Sequence, residues 1–274
     1  MKALSAYIIA AAFLVIVFLP KQEIRDPFDT KLLEIPDIAV TKINAKLTSN
    51  TNQNGSITSS FSGYELSEKQ VNTQVTHETK GFTQKAAKLL AWPAPTGELI
   101  TLSAPGMDWK HHFASSFLVG VRPFPVENKS LPLYVISKRK TYMDDKTQHN
   151  ALEMWQNSAQ SYVLPEGDCE DHAILLADWL ISEGVDARVV GGEYKSGGHA
   201  WVIAIINGNS FLLEATDKRA GKSWNHYPLA ELAKYYSPKY MFNRTDFWEN
   251  TNSANTSDYT NSSWVKRSTY KKTR

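Results

Sequence analysis

The 274-residue sequence predicts an α+β fold: a central helix carrying the chain's lone cysteine, packed on an antiparallel β-meander and preceded by an N-terminal membrane helix. Three observations carry this. GDCEDHAILLADWLISEGV (Gly167 to Val185) passes from acids into almost unbroken apolar residues, so its helix is apolar on nearly all sides and belongs inside a domain. VDARVVGGEY, HAWVIAII and SFLLEAT follow as short β-rich runs, the last two joined by Asn207-Gly208, a dipeptide that favours a tight hairpin. MKALSAYIIAAAFLVIVFLP is apolar from Ala3 to Leu19, close to the length that crosses a bilayer.

Taken in order, residues 1–20 read as a transmembrane signal anchor. Cleavage would need small residues before the cut, but Val15 to Leu19 are bulky and Pro20 follows, which favours an uncleaved segment. Lys21 and Arg25 lie beyond the span, yet only Met1 and Lys2 precede it, so the functional part is expected outside the cytoplasm, periplasmic or at the cell surface. A single cysteine there has no internal disulfide partner and stands out as reactive. Residues 21–80 read as a polar, largely disordered stalk, typified by SNTNQNGSITSSFSG; within it LLEIPDIAVTKINAKL offers a strand or a short helix interrupted by Pro36.

Residues 81–249 are apolar-dense and form the expected domain. GELITLS and LPLYVIS read as strands, and DDKTQHNALEMWQNSAQSY as a helix with Leu152, Trp155 and Ala159 on one stripe. Asp168 is placed to cap the cysteine helix, with Asp171 imitating a capping box, and Gly184 to end it. Residues 250–274 read as a disordered polar and basic tail. With 30 basic against 28 acidic side chains, no overall field points to nucleic acid.

The chemistry centres on Cys169. At the first turn of a helix, free backbone N–H groups and the positive end of the dipole favour a thiolate, while Asp168, Glu170 and Asp171 oppose it. A cysteine nucleophile needs a base, and His199, opening a strand after Lys195-Ser196-Gly197-Gly198, is the candidate. A hairpin with an even loop at Asn207-Gly208 puts even-numbered residues of the next strand on the face of His199, which places Glu214 there, diagonal to the histidine. Asp217 is the alternative third member, reached only by an odd loop or a bulge.

These residues, GDCEDHAILLADWLISEGVDARVVGG followed by GGHAWVIAIINGNSFLLEAT, resemble the core of the transglutaminase-like superfamily over about Tyr142 to Lys218. The resemblance implies a papain-like core and a triad in which Cys169 is the nucleophile, His199 the base and acid, and Glu214 stands where the family usually has Asp. It is similar to the bacterial transglutaminase-like cysteine proteinases, some of which clip surface adhesins; these share a GDCED signature and bind calcium through carboxylates beside the cysteine. That implies calcium at Asp168, Glu170 and Asp171, whose other reading is helix capping and solubility. His172 with Cys169 and His199 would supply too few ligands for zinc and reads as a surface or supporting histidine, and His111-His112 as a partly buried turn. Trp155 and Trp201 either line the substrate cleft or fill the core. Two function classes follow: a membrane-anchored extracytoplasmic thiol enzyme acting on amide bonds of a protein or peptide, by hydrolysis or acyl transfer, and a catalytically idle binding or scaffolding module on the same fold.

Overall fold

The helix that begins at Cys169 organises the chain. The computed structural model describes residues 41–42, 65–80, 86–94, 97–195, 197–216, 228–252 and 257–271. Helix α5 (Cys169–Ser182) is buried without a break from Cys169 to Leu180, as its all-round apolar sequence requires. It ends where Gly184 takes φ +81°, a left-handed conformation that glycine adopts without cost.

The chain then runs through β8 (Asp186–Tyr194), β9 (Gly197–Ile206) and β10 (Asn209–Leu213). Asn207 (φ 52°) and Gly208 (φ 76°) make a two-residue turn, with Ile206 opposite Asn209. Both turn residues are left-handed, which matches the twist of the flanking strands. On its other side β8 pairs with β11 (Tyr236–Phe242), and the sheet continues through β12 (Asp246–Asn250) and β13 (Trp264–Lys271) to β2 (Glu65–Ser67). All pairings in this seven-stranded sheet are antiparallel except β13 with β2. One face lies against α5; the other carries Val190, Trp201, Ile203, Met241, Trp248 and Trp264, with Tyr259 packed against them. Gly191 is required where it stands, because Tyr240, directly opposite on β11, lays its ring where any β-carbon would sit.

A second sheet, β1 (Thr41–Lys42), β3 (Lys88–Ala94), β4 (Gly97–Pro105) and β5 (His111–Phe113), docks on the first through the Ser268 hydroxyl, which donates to the Ile100 carbonyl at 2.8 Å. Asp178 on α5, fully buried, holds a further junction. Its Oδ2 accepts the Gly120 and Val121 amides (2.8 and 2.7 Å) and the Ser158 hydroxyl, and its Oδ1 accepts the Arg244 guanidinium.

Several elements differ from expectation. LPLYVIS is a helix, α2 (Leu131–Arg139), with Pro132 in its first turn and Leu133, Ile136 and Ser137 buried at helical spacing; a short apolar run does not by itself separate strand from helix. The long helix expected over 144–162 is two short ones, α3 (Asp145–His149) and α4 (Ser158–Val163). Asp144 caps the first, Asn150 ends it at φ 52°, and Asn157 caps the second, so local caps override the apolar stripe. Of that stripe Leu152 and Ala159 are exposed and only Trp155 is buried. Lys140, itself buried, donates to the carbonyls of Ser161, Leu164 and Glu166 and closes the end of α4. The parallel pair β6 (Thr141–Tyr142) and β7 (Glu166–Gly167) then leads the chain into Asp168.

The region expected as a disordered tail supplies β13, with Tyr259, Trp264 and Tyr270 buried; aromatics spaced among polar residues secure a strand that composition alone hides. Likewise the end of the expected stalk forms β2 and helix α1 (Glu68–Thr79), capped reciprocally by Ser67 and Gln70 and buried through Val71 and Val75. The apolar segment read as a membrane helix lies outside the described residues, and no helix among the described residues is long and apolar enough to cross a membrane.

Candidate active site

The two-residue hairpin fixes the site's register. Val202 pairs with Leu213, so continuing the ladder sets Trp201 against Glu214 and leaves Glu214 diagonal to His199 on one face. The carboxylate closes that diagonal: His199 Nε2 lies 2.8 Å from Glu214 Oε2, with the imidazole 8 % and the carboxylate 6 % exposed. Burial alone would raise the Glu214 carboxyl, but the facing imidazole and hydrogen bonds from His199 and Thr216 outweigh it and hold it at about 2. An ionised carboxylate only accepts, so His199 Nε2 carries the proton of this bond. Asp217 lies outside the described residues.

Cys169, at the start of α5, meets the strand that carries His199. The backbone N–H of Ala200, next to His199, donates to its thiol, which also lies 3.3 Å from Glu170 Oε2. Burial pushes the thiol well above its usual range, and the charges of Glu170 and Asp168 push the same way against the Ala200 bond. The conflict between helix dipole and neighbouring acids is therefore decided, for the chain alone, in favour of the neutral thiol.

Asp168 occupies the N-cap position of α5 without a side-chain cap bond; Asp171 accepts the Gln156 amide at 2.7 Å and the backbone N–H of Asp168, while packing over Gly167. Asp168 and Glu170 converge with Asp145 of α3, one carboxylate oxygen from each lying within 4.8 Å of the other two. The converging group differs from the expected set by one member: Asp145 faces Asp168 and Glu170, while Asp171 bonds the Gln156 amide through Oδ1 and keeps a buried Oδ2 without a hydrogen-bond partner. One oxygen on each of Asp145, Asp168 and Glu170 has no hydrogen-bond donor although all three residues are buried. Burial, with repulsion from the neighbouring acids, raises Asp168 far above the carboxylate range and Asp145 to about 10. Three buried carboxylates with oxygens left over suit a hard divalent cation, which takes oxygen ligands only. Asp145 was legible only as half of Asp144-Asp145; nothing in its spacing links it to Asp168.

The remaining candidates settle into support. His172 turns its Nδ1 to the Asp168 carbonyl and stacks on Tyr142 (6.5 Å, 15°), so it steadies the first turn of α5 instead of pairing with His199. Trp155 is 3 % exposed, between Phe117 and Phe242, and Trp201 is fully buried under His199 (6.2 Å, 24°); neither lines an open cleft. His111 and His112 bond Ser103 and Asp108, away from the site.

Comparison with known proteins gives distant matches. The family described as "CEP76 peptidase-like domain" matches residues 153–272. No curated protein matches the chain. Among solved structures, Legionella pneumophila LapG in its calcium-bound form is 17 % identical over 54 % of this chain and 82 % of its own, with a TM-score of 0.39. The EGTA-treated form of the same protein is 16 % identical over 53 % of this chain and 80 % of its own, with a TM-score of 0.38.

Proposed function

We propose that this chain is a transglutaminase-like thiol enzyme that cleaves or transfers the acyl group of a protein or peptide amide through Cys169, His199 and Glu214. The observation that carries the reading is the 2.8 Å bond from His199 to a buried carboxylate, beside a thiol that the next residue's amide contacts. A scaffold has no use for an ionised carboxylate aimed at a histidine whose neighbouring amide meets the thiol.

In the reaction, His199 Nδ1 takes the thiol proton while Sγ bonds to the substrate carbonyl carbon. The resulting imidazolium, stabilised by Glu214, returns that proton to the leaving amine as the C–N bond breaks, leaving a thioester on Cys169. Water, or a second amine, then adds to the thioester with His199 accepting its proton, and Cys169 leaves as the thiol. The test is acylation by p-nitrophenyl acetate. One acetyl group should appear on the peptide containing Cys169 and be lost with time; no acetyl at Cys169 sinks the proposal.

Asp145, Asp168 and Glu170 would hold calcium. Its charge would offset the three carboxylates and lift the penalty they place on a Cys169 thiolate. Adding calcium to chelator-treated protein is expected to raise its melting temperature by several degrees, as binding to the folded state alone must. Asp145→Asn with Asp168→Asn should abolish that response, and an equal response in this double variant would remove the cation from the account. Residues 1–20 would anchor the enzyme outside the cytoplasm, on the strength of their apolar sequence.

A further inference from the structure

We infer that Tyr236 is a positioning residue of this site, holding Glu214 so that His199 keeps its proton on Nε2; the inference rests on the proposed triad. The Tyr236 hydroxyl donates to Glu214 Oε2 at 2.9 Å, the oxygen that His199 Nε2 reaches at 2.8 Å. The other oxygen, Oε1, accepts the Thr216 amide at 3.0 Å and the Thr216 hydroxyl at 2.6 Å. Each carboxylate oxygen thus takes two donors, so neither can be turned toward His199 in exchange for the other without breaking bonds on both sides.

The need for such a clamp follows from the residue type. Glutamate has one more rotatable bond than aspartate, and a diagonal reach across the strand pair leaves that freedom to be restrained. Thr216 follows two residues later on the same strand exit and fixes one oxygen; among the described residues a group from another strand fixes the second. Tyr236 is that group. It starts β11, opposite Tyr194 of β8, and its ring is held against Tyr194 (4.6 Å) and edge-on to Trp201 (5.0 Å). Those contacts belong to the ring, so removing the hydroxyl alone leaves the aromatic packing around His199 in place.

The experiment compares full-length wild-type protein with Tyr236→Phe, in calcium buffer, by two readouts. The first is the ring ¹⁵N shifts of His199, assigned by their absence in His199→Ala; the second is the rate of Cys169 acetylation by p-nitrophenyl acetate. The wild type should show protonated Nε2, and Tyr236→Phe a mixture of both tautomers. Its maximal acetylation rate should fall about tenfold, the scale of one hydrogen bond to a charged group, with KM unchanged. Unaltered shifts and rate in Tyr236→Phe overturn the inference. If that variant folds poorly, Tyr236→Met, which also lacks the hydroxyl, must show the same tautomer change. A wild type that is not acetylated at Cys169 removes the acyl-transfer reading, and the ring nitrogens still decide the role of Tyr236.

Discussion

Asp178→Ala is expected to lose about 4 kcal/mol of stability, because it strips the partner from a buried charge-bearing junction. The carboxylate collects two backbone amides, a buried hydroxyl and a guanidinium from three separate stretches of chain: the loop at Gly120 and Val121, the start of α4 at Ser158, and the turn at Arg244. Alanine takes the side-chain acceptor from the two amides, the hydroxyl and Arg244 Nε, and leaving buried donors unmade costs more than the bonds contribute when formed. In a chain of this size that corresponds to a melting temperature lower by about 10 °C. Asp178→Asn keeps an acceptor and should lose less. A melting temperature within about 2 °C of wild type for the alanine variant would mean that the junction does not hold those stretches together.

Glu214→Gln is expected to lower the rate of Cys169 acylation by roughly 10- to 1000-fold, with little change in KM. The amide is nearly the same size, so packing is preserved, but every donor around it assumes a carboxylate. Placed at Oε1, the glutamine NH₂ would face the Thr216 amide and hydroxyl; placed at Oε2, it would face His199 Nε2–H and the Tyr236 hydroxyl. Either way a donor meets donors, and the imidazolium formed during reaction loses its counter-charge. The loss is set below the roughly 10⁴ of a serine triad because a thiol is the better nucleophile at the outset. A change smaller than about threefold would show that Glu214 does not orient the base.

What the sequence made legible were features governed by local rules. An apolar run bounded by acids and a glycine forces a buried helix, and Asn207-Gly208 forces a two-residue hairpin; parity along that hairpin then puts Glu214 on the face of His199. Features set by long-range contact stayed hidden. Asp145 joins the acidic group only because β6 and β7 bring the segment beside Asp168, and Tyr236 reaches Glu214 only because β11 pairs with β8. The single helix expected over 144–162 failed where Asn150 and Asn157 cut it, a case of caps outweighing periodicity. The supposed tail failed through Trp264 and Tyr270, whose burial depends on partners far away in the chain. Nor could composition foretell the thiol's balance, since burial of Cys169, absent from any count of neighbouring charges, adds to the acids against the helix dipole.

The measurement that reaches the central claim most directly is the pH dependence of Cys169 alkylation by iodoacetamide in calcium-loaded protein, run beside His199→Ala. If the imidazole takes the thiol proton, wild-type labelling is fast and nearly flat below about pH 7, because proton transfer to Nδ1 supplies the thiolate without help from solvent base. His199→Ala should then be slower by about 100-fold near pH 6.5, and should recover only as pH passes the free-thiol range of about 8.5. Matching profiles for the two proteins, both rising only at or above that range, would contradict a cysteine activated by His199.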